Sequence, residues 1–260
     1  MNESNPNPTV YPSQTAADLP PPPIQGPRPL GDDPTEREPI PNLFAAIESI
    51  LRQPRRLMFQ LRQPGAGQLI AAMFFVTMVC SAIYGVIVGS FSGGAQWWAA
   101  PVKISAGLLL ATIICLPSLY IFTCLSGAQA RLIEILGLVA GLLMLMTILL
   151  IGFAPVAWLF SQSTNHLAWM GALHLIFWGI ATIFGLRFLE AGFAHAKARS
   201  HAGLYTWSII FVLVALQMTT ALRPIVGTSA KLLPTEKKFF LTHWGDSIKA
   251  ATEKSPEPTR

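Results

Sequence analysis

Charge is scarce in this chain. Asp, Glu, Lys and Arg make up 12% of its 260 residues against 52% hydrophobic, where a soluble domain carries about a quarter charged residues. No aspartate occurs between Asp33 and Asp246, which excludes a paired intramembrane aspartyl protease. An H-E-x-x-H pair is missing, and with it the helical zinc-protease site. A G-x-x-x-x-G-K-[ST] loop is missing too, so the chain cannot drive itself with ATP. The three cysteines, Cys80, Cys115 and Cys124, form no C-x-x-C pair. That leaves no basis for a disulfide scaffold, a zinc site or thiol redox chemistry, and no cofactor is implied.

What the chain has instead is long apolar runs. Residues 67–92, 103–126, 132–160, 166–190 and 205–224 each reach the roughly 20 residues that cross a bilayer as a helix. Lipid offers no partner for backbone N–H and C=O groups, so only helices or closed barrels span it. A barrel strand would alternate polar and apolar side chains, whereas residues 138–146 are apolar all round. The expected fold is therefore all-α: a polytopic bundle of five transmembrane spans over residues 65–227.

The ends differ in kind from the middle. Residues 1–41 hold twelve of the 21 prolines, with six acidic and two basic side chains. Such a segment buries too little apolar surface to offset its ordering entropy, which predicts a disordered Pro-rich tail. Residues 42–64 read as an amphipathic juxtamembrane segment. Leu43, Phe44, Ile47, Ile50 and Leu51 fall at helical spacing, Pro54 breaks the helix, and Arg55, Arg56 and Arg62 frame a second apolar patch of Leu57, Met58, Phe59 and Leu61. That patch suits either the headgroup layer or packing beneath the bundle. Residues 228–260 are expected to form a C-terminal tail with a short amphipathic helix around Phe240, Trp244 and Ile248.

Basic residues set an orientation. Arg52, Arg55, Arg56 and Arg62 precede span 1, Arg131 lies between spans 2 and 3, and Arg187, Lys197 and Arg199 lie at the junction of spans 4 and 5. The opposite loops carry only Lys103. The positive-inside rule places the N-terminus in the cytoplasm and, with five spans, the C-terminus outside. Trp97, Trp98, Trp158 and Trp169 fall at the outer boundary, where indole rings concentrate. The net charge of +5 is explained by these flanks and by anionic lipid, without a nucleic-acid partner.

Polar side chains at membrane depth are few, and such groups are functional candidates by default. His174 is the deepest. Gln217, Thr220 and Arg223 form a stripe toward the outer end of span 5, beside Pro224, and together these four make the candidate polar site. Arg187 with Glu190, and Arg131 with Glu134, are spaced to pair within a helix as structural ion pairs. Pro117 is expected to kink span 2, and kinked spans 2 and 5 would frame a pocket or simply pack. Gly89-Ser90-Phe91-Ser92-Gly93 lacks the G-x-S-G spacing of a rhomboid nucleophile.

The Pro-rich tail, the entry segment from Asn42-Leu43-Phe44 through Ile50-Leu51-Arg52-Gln53-Pro54-Arg55-Arg56, and five following spans resemble bacterial membrane proteins of the Yip type. Cys115-Leu116-Pro117-Ser118-Leu119-Tyr120, Phe153-Ala154-Pro155-Val156-Ala157-Trp158 and Gln217-Met218…Leu222-Arg223-Pro224 look like signature stretches of that family. The D-L-Y-G-P motif of its eukaryotic members has no counterpart here, so the resemblance implies an architecture and not a trafficking role. The expected function is a non-enzymatic scaffold or regulatory subunit in the bacterial inner membrane. Its expected partners are the lipid bilayer and either a membrane protein or further copies of itself. The alternative is a small transporter or channel subunit using the polar residues of spans 2, 4 and 5; a membrane enzyme ranks third.

Overall fold

The computed structural model describes residues 28–92, 96–128, 130–163, 167–196 and 202–221, with backbone alone for 91, 92, 96, 167, 168 and 219–221. Every regular element among them is a helix. Three short helices, α1 (Pro34–Arg37), α2 (Leu43–Arg52) and α3 (Pro54–Gln60), precede five long ones: α4 (Ala66–Ser92), α5 (Gln96–Leu125), α6 (Leu132–Ser163), α7 (Leu167–His195) and α8 (Ala202–Ala221). Four of these, α4 to α7, are long and apolar enough to cross a membrane, as an integral membrane protein requires. The fifth, α8, is apolar over Ala202–Met218 and shorter than the others. Arg223 and Pro224, expected to finish that span, lie outside the described residues, as does the C-terminal tail.

The long helices run alternately up and down, but their packing order is not their chain order. α4 packs against both α5 and α6, α6 also carries α7, and α5 also carries α8, so the sequence of neighbours is α8, α5, α4, α6, α7. Helix α6 sits at the centre, with every residue from Gly137 to Thr147 buried, which is why no polar face interrupts that run. In lipid, helices gain little from apolar contact alone and associate where small residues allow close approach. Here glycines supply those places. A Cβ on Gly141 would enter the Phe188 ring, one on Gly192 would enter Leu138, and one on Gly185 would lie 2.9 Å from Met146. Between α4 and α5, Gly85 meets the backbone of Pro101 directly.

Helix α5 begins upstream of the expected start at residue 103. Lys103, expected in the loop before span 2, is instead a buried residue of that helix. Proline is tolerated near a helix N-terminus, so Pro101 does not mark a boundary. The helix also runs through Pro117 without interruption, as α6 does through Pro155.

The short helices close one end of the bundle, called here the cap end. Asn42 caps α2 by accepting from the Ala45 N–H at 2.8 Å, and Pro54 opens α3, a position that needs no donor. The second apolar patch packs beneath the bundle: Leu57, Met58 and Leu61 are buried, with Leu61 seated against Gly137. The Pro-rich tail expected over residues 1–41 needs a different boundary. Residues 1–27 lie outside the described residues, but from Arg28 onward the chain is built into the cap, with Leu30 and Ile40 packed on the core. Composition misleads there because Asp33-Pro34-Thr35-Glu36 starts a helix: Asp33 accepts from the Thr35 N–H at 3.0 Å, and Pro34 fills the first position.

Candidate functional site

Within the bundle nearly every hydroxyl is tied to its own helix. Thr77 donates to the Met73 carbonyl at 2.9 Å, Thr112 to Leu108 at 2.9 Å, Thr123 to Leu119 at 2.7 Å and Thr182 to Trp178 at 2.8 Å. This back-bonding satisfies the hydroxyl without a second helix. Other contacts cross between helices. Ser81 and Ser105 share a 2.8 Å bond between α4 and α5, and the Trp207 indole of α8 donates to the Cys115 carbonyl of α5 at 2.8 Å.

His174 is the exception in kind. It lies on α7, about 10 Å from the end away from the cap by helical rise, and is only 7% exposed. Its Nδ1 meets the Tyr84 hydroxyl of α4 at 2.7 Å, with the rings edge to face and their centroids 5.6 Å apart. Phe177, one turn deeper on α7, stacks on Phe153 of α6 at 4.7 Å. With the phenol as donor the imidazole proton sits on Nε2; with the roles reversed Nε2 carries a lone pair. In either tautomer Nε2 is buried and has no hydrogen-bond partner among the described residues. A polar atom so placed costs about 1–3 kcal/mol, and this pair is the strongest candidate site inside the bundle.

The other expected residues fall elsewhere. His174 is bonded to Tyr84 of α4. Gln217 is half-buried on α8, Thr220 is described by its backbone only, and Arg223 lies outside the described residues. Glu190 accepts from the Tyr205 hydroxyl of α8 at 2.8 Å, and no ion pair joins it to the exposed Arg187. Glu134 lies 3.8 Å from Arg62 of the cap, whereas Arg131 serves α6 through its backbone carbonyl, which accepts from the Glu134 N–H at 2.9 Å. In each case the expected mate is one turn away on the same helix. The observed mate comes from another element, where a longer reach draws the carboxylate into an interhelical contact.

A second polar cluster ties the cap together. The Arg55 guanidinium donates to Glu36 at 2.5 Å, to the Pro29 carbonyl at 2.9 Å and to the Arg28 carbonyl at 3.1 Å, and lies 3.2 Å from Nε2 of His195 at the end of α7. The His195 Nδ1 faces the Ala191 carbonyl at 2.7 Å, so Nδ1 carries the proton and Nε2 accepts from Arg55. Glu36 also accepts from the Gly31 N–H, and Gly31 has φ +91°, a backbone conformation that favours glycine. Burial presses the Glu36 carboxyl upward, but the Arg55 and Gly31 hydrogen bonds outweigh it and hold the group below the usual glutamate range.

No cluster of three or more His, Cys, Asp or Glu suited to a metal occurs among the described residues. No protein-family model, curated protein or solved structure matches the chain.

Proposed function

We propose that this chain is a non-enzymatic membrane protein of five spans, acting as a scaffold or regulatory subunit of a membrane assembly, with the cap on the cytoplasmic face of a bacterial inner membrane. The observation that carries this reading is the local bonding of the intramembrane hydroxyls. Groups that line a solute route converge across helices, and those of Thr77, Thr112, Thr123 and Thr182 are bonded within their own helices. The arginines of the cap give the orientation through the positive-inside rule. Helix α8 counts as the fifth span because it packs along α5, which puts the C-terminus outside. The partner is a membrane protein or a second copy of the chain.

A small transporter or channel subunit is the second reading, favoured by the unpartnered Nε2 of buried His174. One experiment separates the two: purification in mild detergent, followed by reconstitution with a pH-sensitive dye inside the vesicles. A scaffold is expected to run as a complex or oligomer of fixed stoichiometry and to leave proton leak at the level of empty vesicles. Proton flux that is lost in both His174→Ala and Tyr84→Phe would overturn the scaffold in favour of the transporter.

A further inference from the structure

Helix α2 divides into three sectors around its axis, and only two of them have an occupant. At about 3.6 residues per turn, Ala46, Ser49 and Ile50 share the side turned to the bundle, and all three are buried. Glu48 and Arg52 lie on the opposite side, where they form an exposed pair at 3.2 Å. Between these sectors runs an apolar strip of Leu43, Ile47, Leu51 and Phe44. Ile47 is partly covered, but Leu43 is 38%, Leu51 48% and Phe44 83% exposed. A helix packed on a globular surface with water on its other sides would have no use for this strip.

Its place in the fold supplies the occupant. Helix α2 packs against α4 and α6 at the cap end, where both helices begin their apolar lengths. The α6 side chains Leu132 and Ile133 there are 54% and 41% exposed, so apolar surface is left uncovered at this end on α6 as well as on α2. We propose that α2 lies in the headgroup–acyl boundary of the cytoplasmic leaflet, with Phe44, Leu51 and Leu43 inserted among the lipid chains and Glu48 and Arg52 in water. The four arginines carried by α2, α3 and the turn after them are paired within the protein: Arg52 with Glu48, Arg55 with Glu36, Arg56 with Glu38 and Arg62 with Glu134. Insertion therefore rests on apolar contact and is largely independent of lipid headgroup charge. Interfacial helices of this kind sit about 5–10 Å into the boundary. The proposal rests on the spans crossing the bilayer, and adds to that reading a membrane-anchored cap.

The test places photoreactive benzoylphenylalanine at Phe44, Glu48 or Val79 of the full chain. Phe44 and Val79 are exposed, so the probe replaces no buried packing. Each variant is reconstituted into vesicles of phosphatidylethanolamine and phosphatidylglycerol, irradiated and measured by intact-mass spectrometry. Phospholipid adducts are expected at positions 44 and 79, several-fold above the yield at position 48, and at the same yield at position 44 in vesicles of phosphatidylcholine alone. Lipid adducts at 79 without any at 44 would overturn the placement of α2. Crosslinks from 44 to protein would overturn it in favour of a partner or second copy covering the strip. No lipid adduct at either position would bring down the spanning reading itself, and this proposal with it.

Discussion

Glycine 85 and glycine 141 decide how close the helices come. A methyl on Gly85 would collide with the Pro101 backbone, and one on Gly141 with the buried Phe188 ring, whereas one on Gly152 would meet nothing within 4 Å. Overpacking a tight site costs about 1–3 kcal/mol. Gly85→Ala and Gly141→Ala are therefore expected to lower unfolding stability in detergent by that amount, and Gly152→Ala to leave it unchanged or slightly raised through the better helix propensity of alanine. Gly85→Ala is the harsher of the two, because backbone cannot swing aside as a ring can. Equal stability for all three would show that the helices are not held at these notches. At this scale the sequence marks His174 by chemistry alone, since an imidazole stands out in an apolar run. Tyr84, its partner, does not stand out, because tyrosine is at home near membrane boundaries. Counting depth would have helped: Tyr84 lies eight residues before the end of α4 and His174 seven after the start of α7, at that same end. Depth aligns them, but only the packing order turns one toward the other.

The cap is an element assembled from pieces that read separately in the sequence. The break at Pro54 and the capping Asn42 are legible because each has a local mechanism. The docking of residues 28–40 is not, since proline content argues for disorder while the Arg55 contacts that oppose it come from a helix beyond the segment. Those contacts give the cap an acid limit. Glu36 has a folded pKa below its unfolded one, so its contribution is complete above about pH 4.3 and is lost as the pH falls through the lower, folded value. Hydrogen-exchange protection of the amides of residues 29–38, corrected for intrinsic rate, is expected to hold from pH 7 to pH 5 and to fall in stronger acid. Glu36→Gln is expected to lose much of that protection already at pH 7, because a neutral amide leaves the Arg55 guanidinium without its counter-charge. Protection that is equal in both proteins at pH 7 would show that the ion pair does not hold the segment.

At the scale of the whole molecule, the number of crossings and their direction are open to direct labelling. Glu48 on the cap and Gln162 near the far end of α6 are both exposed. In a Cys124→Ala background, cysteine at position 48 is expected to react with a membrane-impermeant maleimide only after the cytoplasmic side is opened, and cysteine at position 162 in intact cells. Reaction of both from one side would refute the proposed topology. The helical class and the four longest helices follow from length and apolar content, which are properties of each segment alone. The neighbour order α8, α5, α4, α6, α7 is a property of pairs, and notches such as Gly85 against Pro101 become visible only once the helices meet.

That neighbour order has a consequence for how the protein is made. A ribosome delivers α5 long before α8, yet α8 packs on α5 far more than on α7, which immediately precedes it. While α6 and α7 are being synthesised, the side of α5 that will hold Trp207 must face lipid or a chaperone, with the Cys115 carbonyl already accepting from Ser118 at 2.8 Å. That local bond lets α5 wait in the bilayer without a bare acceptor. Arrival of α8 adds the indole to the same carbonyl and closes the seam, so the last of the described helices completes a face laid down near the start. A nascent chain stalled before residue 202 would therefore expose the α5 surface, giving membrane quality control a distinctive mark of an unfinished molecule.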